Sequence, residues 1–285
     1  MKSGIINVLK PAGITSNAVL SQIKRILHPQ KIGHLGTLDP NGVGVLPVCV
    51  GKATKLFDYY LNKDKQYKAI FVFGKETDTL DSEGAITNSN NKTVLENEIL
   101  QVIPKLIGNV SQMPPKYSAK KVAGQKAYDL ARSGVEFTLK PKNVTIYDIK
   151  LVSKIKTNTY LFDIKCSSGT YIRSIARDMA MLLNTYAYMP AIIRTKSGDF
   201  DIKDSIPINK IDEQSILSFE NILKDRQKIF VNDKFYDKIV NGCIVATNHS
   251  PQQNVVVYCN NHVMGIGDVV DGHLKIKTSL WEKND

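Results

Sequence analysis

Between residues 66 and 73 apolar and polar positions alternate, with Tyr67, Ala69, Phe71 and Phe73 on one face, so the segment predicts a strand. Residues 4–9 and 45–50 are short, nearly continuous apolar runs and predict two more strands. Between them the period changes. Ala18, Leu20, Ile23, Ile26 and Leu27 recur at helical spacing after Ser16 or Asn17, either of which can cap a helix, and His28-Pro29 ends it. Helices are also expected over 53–61, over 94–106 and from Tyr171 to about Leu183, the last entered through Ser168-Gly169. Residues 144–152 and 158–166 predict a hairpin turning near Thr157-Asn158. The acidic stretch 76–83 reads as a loop.

Past Phe200 the chain becomes polar, and residues 225–228 offer a boundary. Beyond them short Val/Ile runs alternate with glycine in NGCIV, NVVVYC, HVMGIGDVV and GHLKIKTSLW, which predicts a small β module. The pattern as a whole implies an α+β protein. A mixed, largely antiparallel sheet with flanking helices occupies residues 1–228, and the β module occupies 229–285.

A length of 285 residues with 42% hydrophobic and 23% charged positions supports one or two domains with a buried core and argues against a disordered or fibrous chain. The longest apolar runs are broken by Gly and Pro far short of the roughly 20 residues of a membrane helix, and Lys10 comes too early for a secretory leader; a cytoplasmic protein is expected. Four scattered cysteines and five histidines show no metal-ligand spacing, and no phosphate-cradling glycine motif is present, so no metal and no cofactor are expected. The net charge of +11 changes the picture once it is located. Its basic excess lies within the first 175 residues, interrupted only by residues 76–100, as a surface facing a polyanion requires. Lys116, Lys120, Lys121, Lys126 and Arg132 concentrate in an arm at about 113–134, among tyrosines and glycines.

The densest candidate chemistry is the glycine-rich loop 33–44, which carries one carboxylate in Asp39-Pro40. An Asp-Pro pair in a loop is by itself a turn former. The surrounding run GHLGTLDPNGVGVLPVCVGKATK, however, resembles the bacterial TruB family of tRNA pseudouridine synthases. NVLKPAGITSN, KQYKA, GKETDTLDSEG, PPKYSAKKVAGQKAYDLARSG, CSSGTYIRSIARDMA and IIRTKSGDF fall in the order that family has. The resemblance covers the first 200 residues, and the C-terminal module resembles, more weakly, a PUA domain.

That resemblance implies the pseudouridine synthase fold and an isomerase that needs no cofactor and no metal. It would detach one uracil from its ribose at N1, rotate it and rejoin it through C5, at uridine 55 of the tRNA T-loop. By similarity Asp39 is the catalytic nucleophile, acting on the ribose either by attack on C1′ or through elimination to a glycal. Arg173 would pair with Asp39 and orient it, and Tyr67 would stack on the target base and is a candidate for removing the C5 proton. His34 would help displace the base from the T-loop stack, Tyr171 would line the site, and Lys10 would contact RNA or buttress the site. Lys120, Lys121 and Lys126 would meet phosphates, whereas Asp78 is a positional match without a stated role. The C-terminal module would touch the acceptor end of tRNA, a secondary contribution given its low net charge. A monomer without an obligatory protein partner is expected. Rival readings are a guide-RNA-dependent pseudouridine synthase and a tRNA-folding chaperone without catalysis. Two departures from the family pattern stand near the site. Asn41-Gly42-Val43-Gly44 follows Asp39-Pro40 where a small residue and Ser or Thr before the glycine are usual, and Ile192-Ile193-Arg194 replaces the more common Leu-Arg-Arg.

Overall fold

A computed structural model describes residues 2–118, 120–122 and 124–282, without the side chains of Lys121 and Lys126. Its body is a ten-stranded sheet. The strands are β1 (Gly4–Lys10), β2 (Ile32–His34), β3 (Val43–Val50), β4 (Lys65–Phe73), β5 (Gly108–Gln112), β6 (Lys142–Lys156), β7 (Thr159–Cys166), β8 (Ala187–Ser197), β9 (Phe200–Asp201) and β10 (Ile206–Pro207). The main path runs β10-β1-β3-β8-β4-β7-β6-β5, with β2 on β3 and β9 on β8. Only the β1–β10 and β3–β8 pairs are parallel, so the sheet is mixed and largely antiparallel.

The three principal helices are α1 (Ser16–Leu27), α2 (Glu96–Val102) and α3 (Ile172–Leu182). Thr15, one residue before the expected caps, accepts the Ala18 N–H and starts α1, and His28 ends it in the left-handed conformation. Val19, Ile23 and Leu27 of α1 pack on Ile6 and Val8 of β1 and on Leu46, Val48 and Val50 of β3. Ile5, Val45 and Cys49, on the opposite face, pack with Val256, Tyr258 and Ile266 of the C-terminal module. Burial on both faces is why β1 and β3 read as unbroken apolar runs. On the other half of the sheet Tyr67, Ala69, Phe71 and Phe73 share a core with α2 and with Ile172, Ile175, Ala176 and Met179 of α3.

One strand lies where the sequence pattern predicts no element, and one expectation needs correction. The central strand β8 went unread because Pro190 interrupts it and its tail is polar; the proline sits where the register with β4 shifts between Tyr188 and Ala191, a bulge that spares a ladder N–H. The acidic stretch 76–83 is not all loop, since Lys75–Thr77 pairs with Ile86–Ser89.

The module after the connecting segment is a five-stranded curled sheet, a half-barrel, of β11 (Lys228–Val231), β12 (Val245–Ala246), β13 (Gln252–Cys259), β14 (His262–Val270) and β15 (His273–Ser279), in the order β11-β13-β14-β15-β12. Among the described residues no helix is long and apolar enough to cross a membrane.

Candidate active site

Asp39 occupies the loop between β2 and β3, and two buried cations fix that loop from below. Lys10, at the end of β1 and 0% exposed, donates from Nζ to the carbonyls of Pro11 (2.9 Å), Pro40 (2.7 Å) and Gly42 (2.7 Å). Arg194 of β8, 1% exposed, donates from Nε to the Val45 carbonyl (2.7 Å), from Nη1 to that of Thr37 (3.2 Å) and from Nη2 to that of Gly36 (3.1 Å). Thus the carbonyls on both sides of Asp39 turn inward onto positive charge. Ser16, the first residue of α1, exchanges hydrogen bonds with the backbone N–H and carbonyl of Leu38 at 2.9 Å. The Gly42 N–H donates to the Asp39 carbonyl at 2.9 Å and closes the turn. Gly44, with φ +111, admits no side chain, because a Cβ there would stand 2.2 Å from the Arg194 carbonyl oxygen.

The carboxylate so placed meets Arg173, which the first turn of α3 brings to it. Arg173 Nη2 donates to Asp39 Oδ1 at 3.1 Å and Nε lies 3.1 Å from Oδ2, a two-pronged pair. The guanidinium is itself held on its far side. Nη1 donates to the Thr79 carbonyl (2.8 Å) and to Asp81 Oδ2 (3.0 Å), and Nη2 also donates to the Tyr117 carbonyl of the basic arm (3.2 Å). Asp81 is aligned in turn by the Thr79 hydroxyl (2.6 Å) and the Glu83 N–H (3.0 Å). The Arg173 side chain is 8% exposed and that of Asp39 37%, so the arginine is structural scaffolding and the aspartate faces out.

The electrostatics follow from burial. Lys10 is pushed down to about 8 by burial, an effect that Asp39 opposes and Arg194 reinforces. Burial and Arg194 together lower His34, which favours its neutral ring, and burial raises Tyr67 to about 12. Tyr67, 8% exposed, lies opposite Arg194 in the β4–β8 register, near enough for both Arg194 and Asp39 to act on its phenol.

Asp39, Arg173, Tyr67, Lys10 and His34 therefore converge on one region. Of the two roles expected for Lys10, the geometry describes the buttress, since its ammonium is buried on three carbonyls and does not reach a surface where RNA could touch it. His34 lies on β2 with its Nδ1 buried and unpartnered. Tyr171 precedes α3, and its backbone N–H and carbonyl are both taken by the Gln112 side chain, at 2.8 and 3.1 Å. Lys120 donates to the Lys140 carbonyl at 2.6 Å; Lys121 and Lys126 pair across a two-residue hairpin, and their side chains lie outside the described residues. Asp78 does not reach Arg173 and instead stands 3.5 Å from the Tyr117 hydroxyl. Asp81 and Arg194 were missed as site residues although both lie in quoted segments: spacing in a loop does not say which of two aspartates turns inward, and an arginine on a strand reads as surface charge. Ile193, at the second departure, is 39% exposed, whereas Ile192 lines a cleft of about 20 Å³ beside Asp39, Asp81 and Pro190.

A sequence model described as the TruB family pseudouridylate synthase N-terminal domain matches residues 24–172. Over 93% of both chains, this one is 39% identical to tRNA pseudouridine synthase B of Caldanaerobacter subterraneus subsp. tengcongensis. The chain belongs to the TruB family. The enzyme of the same name from Alkaliphilus oremlandii is 37% identical over 99% of each chain, and that from Clostridium acetobutylicum 42% over 85%. TruB membership makes the protein a pseudouridine synthase, an isomerase. Among solved structures, a chain from an H/ACA RNP bound to a substrate RNA containing 2′-deoxyuridine superposes with a TM-score of 0.71 at 22% identity, covering 98% of this chain and 85% of that one. A chain of a Cbf5-Nop10-Gar1 complex gives 0.68 at 26% identity, covering 93% and 78%. The fold shared with these chains thus extends through the C-terminal half-barrel.

Proposed function

We propose that this TruB enzyme isomerises uridine 55 in the tRNA T-loop to pseudouridine, with Asp39 as the nucleophile. The observation that carries the reading is the outward-facing Asp39 carboxylate gripped at both oxygens by a buried arginine. The relatives named as tRNA enzymes, 37–42% identical over most of their length, support tRNA as the substrate class. The basic excess of the first 175 residues supplies the electrostatic attraction such an RNA needs.

In the proposed sequence the Asp39 carboxylate attacks ribose C1′ as the C1′–N1 bond breaks. The uracil leaves with the bonding pair on N1 and turns, C5 attacks C1′ and expels the carboxylate, the C5 proton leaves, and N1 takes up a proton. Product and substrate are isomers, and Asp39 is regenerated. Arg173 aims the carboxylate, so little reorganisation accompanies attack. The Tyr67 ring is given the stacking role. Its phenol, held near 12, is protonated at neutral pH and a poor acceptor for the C5 proton in the free enzyme. His34, whose ring burial and Arg194 hold toward the neutral form, is assigned to displacing the target base, a step that itself costs a few kcal/mol of unstacking.

The test is tritium release from a T-arm RNA labelled at uridine C5, comparing wild type with Asp39→Ala at equal RNA occupancy. Release by the wild type alone, stoichiometric with one uridine, supports the proposal. Equal binding without release from either protein overturns it in favour of a folding chaperone. Release that appears only with an added guide RNA moves the enzyme to the guided class.

A further inference from the structure

The sequence motif Gly51-Lys52-Ala53-Thr54-Lys55 carries two lysines in a basic region, yet both ammonium groups meet the C-terminal module and not the Asp39 loop. It follows β3, at the end opposite that loop, and opens a helical stretch running to Leu61. Lys52 Nζ donates to the Trp281 carbonyl and lies 5.7 Å from the centre of the Trp281 ring, and Lys55 Nζ donates to the Ser279 carbonyl at 3.1 Å. Among the described residues neither ammonium is in an ion pair. Both are instead spent on main-chain carbonyls at the end of β15 and just beyond it.

The rest of the motif points the same way. Ala53, Leu56 and Tyr60, at helical spacing, are buried in one cluster with Val256, Tyr258, Val263 and Leu280 of the half-barrel. The Tyr59 hydroxyl is 3.4 Å from Thr278 Oγ1. Arg226 of the connecting segment lies 5.4 and 6.0 Å from the ring centres of Tyr59 and Tyr60, whose hydroxyl in turn reaches the Ile222 carbonyl. On the other side Ser3 joins the amino-terminal strand to both ends of the contact. Its Oγ accepts the Lys52 N–H at 2.7 Å and donates to the Glu282 carboxylate. Gly51, at φ +61, is required there because a Cβ would fall 2.0 Å from that Ser3 oxygen.

We infer that Gly51–Lys55 is an intramolecular clasp that fixes the C-terminal half-barrel to the far end of the strand carrying the Asp39 loop, and that its two lysines serve this contact rather than RNA. The apolar residues supply the burial, and the lysines supply direction by closing on carbonyls at one position along the last strand. Arg226, resting on the same helix, is shielded with it.

The molecule carries its own reporter, because Trp281 is the only tryptophan in the chain. Lys52→Met with Lys55→Met should shift Trp281 emission to the red and speed tryptic nicking at Lys224, Arg226 or Lys228 severalfold. Affinity for a T-arm RNA and the slope of that affinity against salt should stay at wild-type values. If emission and nicking are unchanged, the clasp is overturned whatever the RNA does. A fall in T-arm affinity with the salt slope reduced by about one to two also overturns it, and makes the segment a phosphate contact. Should the double variant not fold, Lys55→Met alone removes a single exposed donor and is read by the same two signals.

Discussion

At the scale of single residues, the site is an aspartate presented by an arginine that is itself pinned. Substituting Asp39 by alanine should lower the isomerisation rate by about 10³-fold or more while leaving RNA affinity within a few-fold, measured by single-turnover tritium release. Asp81→Asn removes the charge behind Arg173 without changing shape. The guanidinium then has one partner fewer on its far side, and the rate constant should fall by about 10²-fold with little change in Kd. Lys10 makes a pH prediction with two signs. Its folded value of about 8 lies below its unfolded value of 10.5, so between those limits the unfolded chain holds more protons and the residue's contribution to stability grows as pH rises. Over the same interval the ammonium that grips Pro11, Pro40 and Gly42 is lost and the loop loosens. The rate of the chemical step should therefore decline through about pH 8, and that alkaline limb should be missing from a slower Lys10→Met enzyme.

At the scale of elements, the catalytic loop is rigid because two strands that are not neighbours in sequence, β1 and β8, each deliver a cation beneath it. Gly44 lies where the loop enters β3 against β8, in register with Arg194. Gly44→Ala should cost more than about 2 kcal/mol, seen as a drop of several degrees in Tm, since the new methyl meets main chain rather than a flexible side chain. The basic arm enters the same network through the Tyr117 carbonyl on Arg173. The strands with period-two or continuous apolar patterns were legible, and so were α1 and α3. The sheet's central strand β8 was not, because a proline and a run of polar residues hide it until its neighbours supply the ladder. The role of Arg194 stayed hidden, and the choice between two roles for Lys10 stayed open, for a related reason: a lysine or arginine in sequence reads as surface charge, and only carbonyls brought from elsewhere make a buried one tolerable.

At the scale of the whole molecule, the half-barrel shares its apolar core with β1 and β3 through Val256, Tyr258 and Leu280. A chain cut after residue 228 should lose cooperative unfolding in urea and expose apolar surface to dye, although composition alone marks 225–228 as a place to cut. By itself the sequence determined the α+β class, the family, the basic half of the molecule and the loop holding Asp39. These are written locally, in periodicity, in contiguous motifs and in charge counted along the chain. The tertiary structure alone decided that Asp81 rather than Asp78 backs Arg173, that Lys10 and Arg194 face inward, and that the Gly51–Lys55 motif meets the half-barrel. Each of those depends on which main-chain carbonyls and apolar side chains distant segments bring within reach, and no local pattern encodes such a meeting.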